Sequence, residues 1–164
     1  MNLRERKVYN ILKELKISYK YYTHPAVSTI ADIEEHVKGI TVQHFKNLFL
    51  RNSKGDKHYL VLVDSRKKVN TKELARDIGS TRLSFASNDR LEQYLGLEAG
   101  AVSPLGLIND TTKAVEVLID EDLKSYEEIT MHPNVNTASI TITYDDFEKI
   151  LNWCGNTIRY VEIS

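Results

Sequence analysis

Two spacings of apolar residues along the chain predict the order of its helices and strands. Apolar side chains at positions 8, 11, 12 and 15 share one face of a helix, so we predict an amphipathic helix from about residue 3 to 16. Apolar and hydroxyl side chains alternate from 138 to 143, which predicts a half-buried strand. Thr143 and Asp146 then form a capping box before an apolar stripe at 147, 150, 151 and 154, and Gly155 ends this last helix.

The rest of the chain is rich in short strands. We predict strands at 19–23, 47–51, 58–63, 83–85, 115–119 and 158–163, with residues 52–56 as a hairpin turn. A helix is expected from Ile30 to Val37, and shorter helices after Asn70 and after Ser87. Several strands follow one another directly. A single α+β domain over residues 1–164, with a mixed and largely antiparallel sheet, therefore fits better than alternating βαβ units.

The composition is that of an ordinary globular protein, with 41% apolar and 27% charged residues among 164. No apolar run reaches the roughly 20 residues of a membrane span, and the first residues lack the apolar stretch of a signal peptide. The single cysteine, Cys154, excludes an internal disulfide and favours a reducing compartment, so we expect the cytoplasm. A net charge of −1 offers no general attraction for nucleic acid, so any RNA contact must be local.

The common catalytic and metal-binding patterns are absent from the sequence. The five histidines lack the spacing of metal ligands and have no second cysteine to help them, so no metal site is expected. There is no G-x-S-x-G nucleophile elbow and no glycine loop of a nucleotide-binding type. Cys154 lies in phase with the apolar stripe of the last helix, which favours a buried, unreactive thiol.

Three segments place polar groups or fixed backbone where a site could form, and each also has a plain structural interpretation. Lys46 shares a strand face with Leu48 and Leu50, so it is either a strand-end lysine whose ammonium reaches solvent or a cation at the edge of a pocket. The glycines and proline of residues 96–106 make either a surface turn or a rigid loop whose backbone faces a ligand. His132 also has two interpretations: it lies either in a turn at the end of a strand or beside a site. Spacing alone favours the plain interpretation for Lys46 and for the loop.

Five segments taken in chain order resemble the YbaK/prolyl-tRNA editing domain family, and within it the free-standing alanyl-tRNA(Pro) deacylases called ProXp-ala or PrdX. The segments are 23–29 (THPAVST), 46–51 (KNLFLR), 83–87 (LSFAS), 100–110 (GAVSPLGLIND) and 132–137 (HPNVNT), and together they span nearly the whole chain. The resemblance implies a compact α/β domain with a mixed, partly barrel-like sheet flanked by helices. It also implies hydrolysis of mischarged tRNA without a metal or organic cofactor.

The resemblance assigns roles to individual residues. Lys46 matches the family's essential lysine and Asn47 the asparagine that follows it in the alanine-specific branch, while Gly100 and Pro104 match the GxxxP loop and His132 the histidine at the amino-acid pocket. These five are the predicted catalytic residues. The predicted substrate-binding residues are His24, Ala101, Ser103, Asn136 and Thr137. On the first helix, the basic residues Arg4, Lys7 and Lys13 are predicted tRNA contacts.

Hydrolysis of an aminoacyl ester is chemically easy, so such a protein chiefly positions its substrate. We expect Lys46 to hold the phosphate or ribose of the terminal adenosine. Backbone groups of residues 100–104 would orient the ester and a water molecule and stabilise charge on the carbonyl oxygen. Asn47 and His132 would position the amino acid. The sequence offers no conventional pair of nucleophile and base, which leaves the substrate's own ribose hydroxyl as a candidate assistant.

The leading prediction is a trans-acting deacylase of Ala-tRNA(Pro). A synthetase pocket made for proline rejects the smaller alanine by only about 1–3 kcal/mol, so a second site that admits small side chains would remove the error. Two alternatives stay open: a Cys-tRNA(Pro) deacylase of the YbaK type, and a non-catalytic module that binds tRNA or a synthetase. The expected partner is the acceptor end of tRNA(Pro), with prolyl-tRNA synthetase or an elongation factor as further candidates and no membrane.

Overall fold

The computed structural model describes residues 2–26 and 45–164. Its helices are α1 (Leu3–Glu14), α2 (Thr71–Ile78), α3 (Asn88–Leu95) and α4 (Tyr144–Cys154). Two short 3₁₀ helices cover Pro104–Asn109 and Glu121–Ser125. The helix predicted at 30–37 and residues 27–29 of the first matching segment lie outside the described residues.

The strands form two sheets. The bounds are β1 Lys20–Thr23, β2 Phe45–Arg51, β3 His58–Asp64, β4 Ser84–Phe85, β5 Val115–Asp120, β6 Glu128–Met131, β7 Ala138–Thr143 and β8 Ile158–Val161. A five-stranded sheet has the order β4-β2-β3-β5-β8, and a three-stranded sheet has the order β1-β7-β6. Among the described strands only β3 with β5 and β5 with β8 pair in parallel, so the predicted mixed, largely antiparallel pairing is confirmed. Within the described ranges the strands close no barrel.

Strand β3 is the centre of the larger sheet, and all seven of its residues are buried. Because side chains alternate along a strand, Leu60 and Leu62 pack into one hydrophobic core and Tyr59 and Val61 into another. The larger core lies between the five-stranded sheet, helices α1, α3 and α4, the Pro104–Asn109 helix and the small sheet. The smaller core lies under α2 on the opposite face.

The helices begin and end at the capping residues that the sequence predicts. The side-chain oxygen of Asn70 accepts from the backbone N–H groups of Lys72 and Glu73, and Ser87 and Thr143 cap α3 and α4 in the same manner. Cys154 is buried on the apolar stripe of α4, and burial raises the pKa of its thiol to about 11. No helix in the described part of the chain is long and apolar enough to cross a membrane.

The prediction that β7 is half-buried is wrong. Ser139 and Thr141, on the face expected to meet solvent, are only 1% and 2% exposed. Burial of these hydroxyl groups is tolerated because each has a partner: Thr141 bonds the hydroxyl of Thr130 at 2.7 Å, and Ser139 bonds the imidazole of His24 at 2.9 Å. The sequence pattern also missed β6 and both 3₁₀ helices, which are too short to show a period.

Candidate functional site

Lys46 lies at the start of β2, opposite Val63 of β3. As predicted, it shares the face of Leu48 and Leu50, and this is the face of the smaller core. The side chain is half-buried, and its ammonium group donates to the backbone carbonyl oxygen of Lys67, in the turn after β3. The cation is therefore held at the sheet end by a main-chain acceptor.

Asn47 points to the other face of β2. It pairs with Leu62, whose side chain belongs to the larger core, and its side-chain oxygen is buried with no hydrogen-bond partner among the described residues. A buried amide oxygen without a partner costs free energy, so this position is suited to accept from a ligand or water. Lys46 and Asn47 are neighbours in sequence, yet a regular strand directs them to opposite faces of the sheet. One substrate can contact both residues only by passing around the start of β2, where they lie.

The GxxxP segment is a rigid loop that leads into the Pro104–Asn109 helix. Gly100 has φ of +88°, a backbone conformation that favours glycine. Ser103 is fully buried and caps the helix: its hydroxyl accepts from the N–H of Leu105 at 3.2 Å, and its carbonyl accepts from Gly106 at 3.0 Å. The hydroxyl of Ser103, a predicted substrate contact, is thus engaged with the loop itself. Ala101 is also buried, at 6% exposure.

His132 follows β6 and has a fixed hydrogen-bonding state. Its Nδ1 lies 3.0 Å from the carbonyl oxygen of Ala138, which can only accept, so Nδ1 carries the proton and Nε2 keeps a lone pair. Burial lowers the pKa of His132; the nearby His24 lowers it further, and the bond to Ala138 opposes both. His132 is therefore neutral at pH 7, with Nε2 available as an acceptor.

The small sheet brings three predicted residues together. The ring centroids of His24 and His132 are 6.2 Å apart, and the backbone N–H of His24 donates to the carbonyl oxygen of Thr137 at 3.0 Å. His24 is buried; its Nδ1 donates to the carbonyl of Pro25, and its Nε2 lies 2.9 Å from the hydroxyl oxygen of Ser139. The strand pairing of β1 with β7 is what places these histidines side by side, across more than 100 residues of sequence.

Asn134 links the histidine segment to the GxxxP helix. Its side-chain nitrogen donates to the carbonyl oxygen of Leu105 at 3.2 Å, and the residue is 2% exposed with φ of +63°. Its own amide oxygen has no partner in the described part of the chain. Sequence reasoning missed Asn134; the available signal was that asparagine tolerates a left-handed backbone better than most residues. The predicted contact Asn136, two residues on, is half-buried.

The sequence also gave no role to a cluster of charges at the end of β3 and β5. Asp64 and Asp120 end these parallel strands, and Lys67 bonds Asp120 at 3.0 Å. Because the carboxyl ends of parallel strands meet at one sheet edge, an acidic residue after each apolar run was a usable signal. This cluster carries the backbone carbonyl that Lys46 contacts.

Two of the three predicted tRNA contacts on α1 have partners within the fold. Arg4 pairs with Glu98 at 3.2 Å, and Lys7 donates to the side-chain oxygen of Asn109 at 2.7 Å. Both bonds dock α1 beside the GxxxP loop. Lys13 is exposed, and its side chain makes no ion pair or hydrogen bond with another described residue.

The described residues contain no group of three or more His, Cys, Asp or Glu placed to hold a metal ion. A surface cleft of about 400 Å³ is lined by Tyr126, Tyr144 and Tyr160, among others. None of the predicted site residues lines it.

Residues 24–150 match the model of the aminoacyl-tRNA editing domain. The chain belongs to the aminoacyl-tRNA editing domain family. A relative in this family, the prolyl-tRNA editing protein ProX of Acetoanaerobium sticklandii, is 47% identical over 156 residues, which are 93% of each chain. The prolyl-tRNA synthetase associated domain-containing protein 1 of Xenopus laevis is 32% identical over 148 residues, 88% of each chain.

Solved structures share the editing-domain fold. The crystal structure of a proposed trans-editing enzyme for prolyl tRNA synthetase aligns with a TM-score of 0.74 and 22% identity, over 100% of this chain and 99% of that one. The family and fold class predicted from the sequence are thereby confirmed. The editing-domain relatives are named for prolyl-tRNA or its synthetase, which relates the family to tRNA and to that enzyme.

Proposed function

We propose that this protein hydrolyses the ester bond between alanine and tRNA(Pro), acting in trans on the mischarged tRNA after its release from the synthetase. The observation that carries the proposal is the 47% identity to the prolyl-tRNA editing protein ProX, which extends over 93% of both chains. Similarity over a whole domain argues for shared chemistry more strongly than an isolated motif does. The proposed place of action is the cytoplasm, and the proposed partner is the acceptor end of tRNA(Pro).

The GxxxP loop is suited to hold the ester. The backbone N–H groups of Val102 and Ser103 donate to no other described residue, so main-chain donors remain in a loop fixed by its own cap. Donors held in place before the reaction stabilise a developing oxyanion without reorganisation. This role needs no side chain from Ala101, Ser103 or Pro104 beyond the shape that they give to the loop.

The neutral imidazole of His132 is suited to the amino-acid end of the substrate. The lone pair on Nε2 accepts from the α-ammonium group or from a bound water molecule. The unsatisfied side-chain oxygen of Asn47 offers a second acceptor on the larger-core face. Two acceptors around one ammonium group would orient the ester for attack, which is the main task in hydrolysing an activated acyl group.

Lys46 is proposed to bind the phosphate or ribose of the terminal adenosine. Lys46→Met keeps most of the length of the side chain and removes the charge. It should lower kcat/KM on Ala-tRNA(Pro) about 10- to 150-fold, the value of one hydrogen bond to a charged group at about 1.5–3 kcal/mol. Lys54→Met, at the exposed tip of the β2–β3 hairpin, is the matched control and should leave kcat/KM unchanged. Normal turnover by Lys46→Met would refute the role.

The substrate preference is tested by timed ester loss from tRNA(Pro) charged with alanine, cysteine or serine. We expect the alanyl ester to be hydrolysed fastest. Faster loss of the cysteinyl ester would replace the proposal with a YbaK-type activity. Binding of all three without hydrolysis would instead identify a non-catalytic module.

A further inference from the structure

The position of the Lys46 ammonium depends on a turn 21 residues away in sequence. It donates to the carbonyl oxygen of Lys67, so the contact joins the start of β2 to the segment that follows β3. A lysine side chain is flexible and its charge is compact, so an acceptor that fixes the ammonium removes much of that freedom. The location of one main-chain carbonyl thus sets where this cation sits.

The side chain of Lys67 anchors that turn to the sheet. Its ammonium lies 3.0 Å from Asp120, 2.7 Å from Asp122 and 2.6 Å from the carbonyl oxygen of Ile163. An ammonium has three hydrogens, and these three acceptors use all of them. Asp120 is 1% exposed, so its charge needs this partner. The turn is therefore tied both to the end of β5 and to the chain beyond β8.

A second set of hydrogen bonds, centred on Asp64 and Asp120, also holds this turn. The other oxygen of Asp120 accepts from the backbone N–H of Asp64 at 3.1 Å, and Asp64 in turn receives two bonds from the guanidinium of Arg66 and one from Tyr126. The Arg66 bonds hold the pKa of Asp64 below its usual range. Burial opposes the charge of Lys67, but the bonds that its ammonium donates to Asp122 and Asp120 outweigh this effect and raise the pKa of Lys67.

From this geometry we propose that Lys67 is a positioning residue for Lys46: its side chain fixes the turn, and its backbone carbonyl holds the Lys46 ammonium where the tRNA end binds. This inference rests on the role proposed for Lys46. A cluster that served only to join β3 to β5 would stabilise the fold without regard to Lys46. The two possibilities differ in whether loss of Lys67 matters once Lys46 is gone.

The test is a double-mutant cycle on the single-turnover rate of Ala-tRNA(Pro) hydrolysis, measured at saturating enzyme and well below each variant's melting temperature. Lys67→Met should lower the rate about 10- to 100-fold, the loss that follows a misplacement of about 1 Å in an active site. Lys67→Arg keeps a cation for Asp120 and Asp122 and should restore the rate to within a few-fold. The control Lys68→Met makes the same change at an exposed position of the same turn and should leave the rate unchanged.

In a Lys46→Met background, Lys67→Met should cause no further loss of rate. An equal loss with and without Lys46, or no loss at all, would overturn the inference. Since Lys67→Met leaves a buried carboxylate without its cation, Asp122→Asn serves as a milder second variant, because the Asp122 side chain is 69% exposed. It should give a smaller loss with the same dependence on Lys46.

The two proposals fail in different ways. If Lys46→Met alone hydrolyses at the normal rate, the role of Lys46 is wrong. If Lys46→Met is slow while Lys67→Met and Asp122→Asn are both normal, only the positioning role of Lys67 is wrong.

Discussion

Asn134 is the residue whose replacement should most directly separate the histidine segment from the GxxxP helix. It combines two features: a left-handed backbone, with φ of +63°, and a hydrogen bond of 3.2 Å to the carbonyl oxygen of Leu105. Asn134→Gly keeps the backbone free to adopt this conformation and removes the side chain that makes the bond. Asn134→Ala removes the bond and also places a Cβ on a left-handed residue.

The two substitutions should differ in cost. Losing the bond leaves a buried carbonyl without that donor. This loss should lower the free energy of unfolding by about 1–2 kcal/mol in either variant. Alanine adds about 1–2 kcal/mol of backbone strain in the left-handed region, so Asn134→Ala should lose about 2–4 kcal/mol in all. In a domain of this size each kcal/mol lowers Tm by about 2–4 °C.

Urea denaturation and single-turnover hydrolysis of Ala-tRNA(Pro) would measure both consequences. We expect the single-turnover rate constant to fall in both variants, because the segments of His132 and the GxxxP loop lose the hydrogen bond that joins them. Stability should fall further in the alanine variant. Asn136→Ala is the stability control, because Asn136 lies in the same segment without a positive φ. Equal stability of the glycine and alanine variants would show that the backbone at 134 is not constrained. Wild-type stability in both variants would show that the bond between Asn134 and Leu105 does not stabilise the fold.

Three further predictions follow from the structure. Gly106→Ala would place a Cβ 2.6 Å from Leu97 Cδ1, so it should cost about 1–3 kcal/mol by denaturation, and the double variant Gly106→Ala/Leu97→Ala should lose less than the two single losses added; strict additivity would contradict this. Because burial puts the pKa of His132 below its ordinary 6.5, the folded state binds fewer protons there than the unfolded chain. The contribution of His132 to stability is fully present above pH 6.5 and is lost as the pH falls through its lower folded pKa. His132→Gln should therefore lose less stability than the wild type between pH 7.5 and 5.5. An unchanged slope of unfolding free energy against pH would contradict this prediction. Lys13→Ala should raise KM and reduce the salt slope of binding by about 0.7–0.9 per phosphate contact without changing Tm, and an unaltered salt response would remove Lys13 from the tRNA surface.

The fold was largely predictable because its signals are local. The periodic stripes of α1 and α4, and the caps at Asn70, Ser87 and Thr143, each depend on residues within one or two helical turns of one another. The β2–β3 hairpin followed from two apolar runs around a polar turn. The burial of the hydroxyl face of β7 could not be predicted this way, since Ser139 is covered by His24, which follows β1 and lies 115 residues away in sequence.

The residues of the candidate site were indicated by sequence, but their arrangement was not. The alternation along β2 already implied that Lys46 joins Leu48 and Leu50 on one face. Which core each face meets became clear only from the packing: Lys46 lies over the smaller core, and Asn47 faces the larger one. Asn134 gave little sign of its link to Leu105, because the bond crosses 29 residues.

The sequence by itself determined the four α-helices of the described residues, most strands and the family, and it indicated the segments proposed to carry the chemistry, because these depend on patterns and motifs contained in short stretches of chain. Tertiary structure alone decided which polar groups meet. Lys67 and Asp120 stand 53 residues apart, and only the parallel pairing of β3 with β5 brings the ends of these strands to one edge. Lys46 fits both statements: its motif marks it in the sequence, while the carbonyl that holds its ammonium comes from a turn that strand pairing places beside it.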